Sequence, residues 1–143
     1  MKFPPSLKLR RINKFYIFMN YLGIDWGEAR IGLALADGET KIATPFKVVG
    51  NLAEVLKVIN EEEIDIVIVG KPVSMMNHEP RTINEKYNKF VDDLKKKIAA
   101  PIEFFDERLS SKAADALPGN RKTKASRDAI AAMIILQSYL DRQ

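Results

Sequence analysis

The run IDIVIVG at residues 64–70 constrains the fold most. Its β-branched residues leave neither face polar, the pattern of a strand buried on both faces and therefore central in a parallel sheet. Parallel strands need crossovers, and the flanking sequence supplies them. Upstream, LAEVLKVINEEE (52–63) places Leu52, Val55, Leu56 and Ile59 at helical spacing, with Glu61 to Glu63 on the far side or at the end. Downstream, beyond the loop KPVSMMNHEP, Ile83, Tyr87, Phe90, Val91, Leu94 and Ile98 recur at helical intervals among many charges. PIEFFDE (101–107) reads as a further short strand. SSKAADAL then reads as a brief helix capped by Ser110 or Ser111. The stretch from about Ser126 to Leu140, rich in Ala, Ile, Leu and Met, predicts a last helix largely buried against the sheet.

Ahead of the central run, YLGIDWGEARIGLALAD (21–37) is two apolar stretches joined by a Gly-containing turn, an antiparallel hairpin of about five residues per strand. A third strand at 42–49 is interrupted by Pro45, which places it at an edge or gives it an irregular start. Together these elements predict an α/β fold: a mixed sheet of a three-strand antiparallel meander plus parallel strands, with helices on both faces. A length of 143 residues with 46% apolar content suits a single domain over 19–143 and is too apolar for a disordered chain. Charges interrupt every apolar run before it reaches membrane-spanning length. The absence of Cys excludes disulfide scaffolds, thiolate metal sites and cysteine nucleophiles, and fits a cytoplasmic setting.

The formal charge of +4 originates in a basic N-terminal extension, residues 1–18, with Lys2, Lys8, Arg10, Arg11 and Lys14 and no acid. The remaining residues are close to neutral, so net charge by itself is no argument for nucleic-acid binding. Phe15 to Phe18 follow the basic start as in a signal peptide, but Asn20 breaks the apolar run and no small-residue cleavage site follows. The extension is read instead as a flexible or docked tail, or as residues ahead of a natural start at Met19.

Acids stand at the ends of strands. Asp25 closes the first strand, where alternation puts Tyr21, Gly23 and Asp25 on one face and Leu22, Ile24 and Trp26 on the other. Gly27 permits a tight turn, and Gly32 leaves the next strand open to the approach of another backbone. A strand-terminal Asp is as often a simple turn former. Asp106 and Glu107 end PIEFFDE, and because they point to opposite faces only one can converge with Asp25. Asp128, in the first turn of the last helix, needs no chemistry to explain it, since an acid there complements the helix dipole. Carboxylates from three distant parts of the chain can nevertheless meet at one rim of a sheet. Such a cluster repels itself unless protonated or metallated, and it suits Mg²⁺ or Mn²⁺ and phosphodiester hydrolysis.

The segment PGNRKTKASR (118–127) carries Arg121, Lys122, Lys124 and Arg127 without an acid, a loop able to hold a phosphate backbone without reading sequence. A solvated surface loop is the plainer reading. Lys71 and Arg30 can add phosphate contacts or be ordinary surface cations. His78 is the only His, with no second His or Cys to complete a zinc site. Ser110 and Ser111 lack a neighbouring base and resemble caps. Phe90, Phe104, Phe105 and Tyr87 read as core, and Trp26 either packs in the core or stacks on a base.

Four segments resemble the YqgF family, RuvC-like proteins of the ribonuclease H-like fold named as pre-16S rRNA nucleases or Holliday junction resolvases. They are LGIDWGEARIGLALAD (22–37), IVIVGKPVSMM (66–76), FFDERLSSKAAD (104–115) and RDAIAAMIILQSYLD (127–141). The resemblance implies that Asp25, the DER acids Asp106 and Glu107, and Asp128 are the acids of the site, with Glu107 preferred over Asp106. Arg30, Arg108 and Ser110 fall on motif positions too. It further implies divalent-metal cleavage of structured nucleic acid in the bacterial cytoplasm, with a role in maturing the 16S rRNA 5′ end. The loop after the central strand departs from the family: KPVSMMNHE stands where LPLNMDG is usual.

Two other classes compete with a nuclease. An ATP-handling domain of the actin and sugar-kinase type also uses an Asp and Gly in its first hairpin, but it needs a second lobe for which this chain has no room. A binding module would dock structured RNA or a ribosomal precursor with its acids purely structural. A resolvase acting on a two-fold junction would be expected to form a homodimer.

Overall fold

In the computed structural model, which describes residues 19–71, 81–106 and 124–143, the β-branched run becomes β4 (Ile66–Lys71), with five of its six residues buried. It lies parallel to β1 (Asn20–Trp26) on one side and to β5 (Ile102–Asp106) on the other. β1 pairs antiparallel with β2 (Ile31–Asp37), and β2 with β3 (Thr44–Val49), giving the order β3-β2-β1-β4-β5. This is the expected meander with a parallel extension. The first two strands have seven residues each, longer than expected, because Gly23 and Gly32 lie inside the ladder and do not end it. Pro45 sits in edge strand β3, where the register shifts: Leu33 pairs with Lys47 and Ala34 with Pro45, leaving Phe46 as the extra residue of a bulge.

Three helices cover the sheet among the described residues: α1 (Leu52–Glu61), α2 (Arg81–Lys97) and α3 (Lys124–Asp141). Asn51 caps α1 by accepting the Glu54 N–H at 3.0 Å, and the Glu54 carboxylate reaches back to accept the Gly50 N–H at 2.6 Å. On one face Leu22, Ile24, Leu33, Val67 and Val69 pack against Val55 and Val58 of α1 and Tyr87, Phe90 and Leu94 of α2. The other face carries α3, whose Ala132, Ile135, Leu136 and Tyr139 cover Tyr21, Ala34, Ile66 and Ile68. Helices therefore lie on both faces. Phe104 departs from the expected core: it is 43% exposed, on an edge strand, with the Lys95 ammonium 5.6 Å from its ring centre.

α3 lies close to the sheet because the positions beneath it are small: Gly23 on β1, and Gly32, Ala34 and Ala36 on β2. A Cβ on Gly23 would come within 2.8 Å of Leu136 Cβ and 2.9 Å of the Ala132 carbonyl oxygen. A polar clamp fixes the far end of the helix. Gln137 Oε1 accepts the Ala43 N–H at 2.8 Å, while Nε2 donates to the Lys41 carbonyl at 3.1 Å and to Asp141 Oδ1 at 2.9 Å. Lys41 has φ 55°, so the clamp also holds a turn in the left-handed region. Gln137→Leu strands the Ala43 N–H and is expected to destabilise by about 2 kcal/mol, a fall in Tm of roughly 4–8 °C in a thermal melt.

Candidate functional site

The carboxyl ends of parallel strands β1, β4 and β5 form one rim of the sheet, which is where open α/β sheets usually place ligands. Asp25 is half-buried at that end of β1, on the face shared with Tyr21 and Gly23, the α3 face. Its register partner across the antiparallel pair is Gly32. A Cβ on Gly32 would overlap the carbonyl oxygen of Asp128, so the α3 backbone at Asp128 rests directly on Gly32. Cross-strand partners have Cα atoms about 5 Å apart, so the Asp128 backbone lies within side-chain reach of Asp25. Two expected acids, separated by most of the chain, come to one face of one rim.

The helix begins at Lys124, so Asp128 is its fifth residue and α3 has no acid in its first turn. This differs from the sequence expectation of a first-turn acid, and it weakens the helix-dipole explanation, because that interaction fades beyond the terminal turn. The carboxylate is held by a side chain instead. Arg30, at the end of the turn between β1 and β2, donates from Nε to Asp128 Oδ2 at 2.7 Å, with side-chain exposures of 43% and 27%. A partly exposed pair of this kind adds no more than about 1 kcal/mol to stability, so its main consequence is orientation.

Asp106 lies elsewhere. Phe105 is buried with the α3-face residues, whereas Ile102 packs with the opposite cluster and Phe104 lies by Lys95 of α2. Alternation puts half-buried Asp106 on that opposite face, in register with exposed Lys71. Asp25, by contrast, lies on the α3 face, so alternation separates Asp106 from it by face. Arg127 is exposed beside Asp128, and Lys124 is the first residue of α3. Glu107, Arg108, Ser110, Ser111, Arg121, Lys122 and His78 lie outside the described residues.

Trp26 packs in the core. Its ring meets Tyr87 edge-on at 5.7 Å and Phe90 at 6.4 Å, and the Tyr87 hydroxyl donates to the Gly70 carbonyl at 3.2 Å. Sequence reasoning missed two ion pairs that brace the hairpin turn: Arg30 with Asp128, and Glu28 with Lys86 of α2 at 2.9 Å. No local pattern signals either, since their partners lie far away in sequence.

The donor chemistry suits a hard cation, for Asp25 and Asp128 offer only carboxylate oxygens and the chain has no Cys. Among the described residues no three acidic or imidazole groups form a metal cluster; the third expected ligand, Glu107, lies outside them. Also among the described residues, no helix is long and apolar enough to cross a membrane.

Comparison with known proteins bears on the same segments. The RuvX family, described as Holliday junction resolvase, matches residues 19–142. A protein of Chloroflexus aurantiacus named "Putative pre-16S rRNA nuclease" is 36% identical over 132 residues, covering 84% of this chain and 85% of the relative. One of the same name from Anaeromyxobacter sp. is 37% identical over 135 residues, covering 86% and 97%. Among solved structures, T. thermophilus RuvC in complex with Holliday junction substrate superimposes with a TM-score of 0.61 at 18% identity, covering 87% of this chain and 94% of that one. That likeness establishes the ribonuclease H-like fold expected from the motifs. With a family match across nearly all of residues 19–143 and relatives above one-third identity, the chain belongs to the RuvX (YqgF) family of Holliday junction resolvase-like nucleases.

Proposed function

We propose that this protein is a divalent-metal-dependent endonuclease acting on structured nucleic acid, with processing of the pre-16S rRNA 5′ end as its reaction. The observation that carries this reading is the seating of Asp128 on Gly32, which brings a second carboxylate to the rim where Asp25 stands next to the last residue of β1. The names of the relatives favour the rRNA precursor over branched DNA. Asp25, Asp128 and Glu107 are the proposed ligands, and Mg²⁺ or Mn²⁺ the proposed ion. Asp106 faces away from Asp25, which favours its neighbour Glu107 for the third position.

When bound, the ion supplies activation of a water and stabilisation of charge on the leaving oxygen of an in-line displacement. The chain's own residues do the rest. Asp25 and Asp128, carried on a strand end and a seated helix, fix the oxygens that define the site. Arg121, Lys122, Lys124 and Arg127, together with Arg108, Arg30 and Lys71, hold the phosphate backbone by charge, independent of base sequence. The setting is cytoplasmic. Paired cuts on a two-fold junction would need a homodimer, whereas a single cut on an RNA precursor would not.

The test is cleavage of a 5′-extended 16S precursor and of a four-way DNA junction in Mg²⁺ or Mn²⁺. The precursor is expected to be cut in preference to the junction. Glu107→Gln is expected to lower the rate by about 10²-fold or more, while Asp106→Asn stays within about threefold of wild type. Preferential cutting of the junction would move the function to resolution. Binding of the precursor with no cleavage in either metal would make the protein a binding module.

A further inference from the structure

We propose that Arg30 is the resident counter-cation of this rim: its guanidinium holds the Asp128 carboxylate until a divalent ion takes it, so the two cations compete for one acid. This rests on the acidic site proposed above and extends it to Arg30, whose guanidinium is bonded to Asp128. Three features of the hairpin converge. β1 delivers Asp25, Gly32 on β2 receives the α3 backbone at Asp128, and Arg30 between them binds the Asp128 side chain at 2.7 Å. One short segment thus contributes an acid, the seat for a second acid, and a cation.

Electrostatics gives this arrangement a reason. Two carboxylates brought to one rim repel, and without a divalent ion the repulsion falls on the contact between α3 and the hairpin. A guanidinium at the same place offsets it. The charge-assisted bond occupies Asp128 Oδ2, and an incoming Mg²⁺ or Mn²⁺ needs carboxylate oxygens that are not engaged by a competing cation. The consequence has a definite sign. A residue that merely braced the helix would weaken metal binding when removed, whereas a competing cation strengthens it.

Mn²⁺ alone, titrated calorimetrically into the full chain, distinguishes these outcomes, with circular dichroism confirming the fold of each variant. Arg30→Gln is expected to bind Mn²⁺ about three- to tenfold more tightly than wild type, and Arg30→Lys, which keeps the charge, to lie closer to wild type. Unchanged or weaker binding by folded Arg30→Gln, alongside wild-type binding that Asp128→Asn removes, overturns the role of Arg30 and leaves the acidic site standing. Wild-type protein without Asp128-dependent Mn²⁺ binding overturns both. A second measurement needs no substitution: the Arg30 Nε–H of wild type, protected by its bond to Asp128, is expected to exchange faster with water once Mg²⁺ is saturating. An unchanged exchange rate at saturation overturns the competition.

Discussion

Asp25→Asn is expected to lower single-turnover cleavage by about 10³-fold, equivalent to about 4 kcal/mol of transition-state stabilisation, while moving Tm by no more than a few degrees. Asn keeps the shape and hydrogen-bonding reach of Asp, so the pairing of residue 25 with Gly32 persists and the sheet is undisturbed. What disappears is a formal negative charge at a half-buried strand end, on the face where α3 brings Asp128. A neutral amide is a poor ligand for a hard divalent ion and cannot offset its charge. Substrate affinity should change little, because cations outside the acid pair are proposed to bind the phosphates. Parallel measurements of cleavage, substrate binding and thermal unfolding check this. If the variant cleaves within threefold of wild type, Asp25 is structural and the nuclease mechanism proposed for this rim is lost.

The fold was legible where burial writes itself into local pattern. IDIVIVG could only be a strand covered on both faces, and it occupies the middle of the parallel part of the sheet. Pro45 marked β3 as an edge because its missing N–H cannot serve a central ladder. Gly32 stood out as a point where a second backbone could come near; which backbone came was invisible, because Asp128 is brought there by tertiary packing of α3 and not by any neighbour in sequence. The same applies to Arg30, whose charge is apparent in the sequence but whose partner 98 positions away is not. Asp106 and Glu107 could not be separated from composition, since both are acids in one motif. The parity of Ile102, Phe104 and Phe105 assigns Asp106 to the face away from Asp25. Phe104 misled because aromatic character signals burial only when another layer covers the residue, and β5 is an edge strand.

Gly32→Ala should impair folding and chemistry together, through one methyl group. A Cβ at this position overlaps the Asp128 carbonyl oxygen and presses on the carbonyl carbon and the Ala129 nitrogen, all backbone atoms of α3. No flexible side chain can swing aside, so the helix must lift from β2 or the strand must bend. The lift is resisted along the helix, because Ala132, Ile135 and Leu136 are buried against the sheet and Gln137 clamps the following turn to Lys41 and Ala43. Overpacking against an unyielding neighbour destabilises by about 1–3 kcal/mol, which for a chain of this size lowers Tm by roughly 2–12 °C. A displacement near 1 Å moves the Asp128 carboxylate away from Arg30 and Asp25, and misplacement on that scale lowers rates by about 10²-fold. The joint signature separates this variant from Asp25→Asn, which is expected to lose activity at nearly unchanged stability. Thermal melts and single-turnover cleavage on the same preparations provide the check. A Gly32→Ala protein that melts and cleaves like wild type would mean that α3 does not rest on this glycine, and the convergence of Asp25 with Asp128 would lose its structural basis.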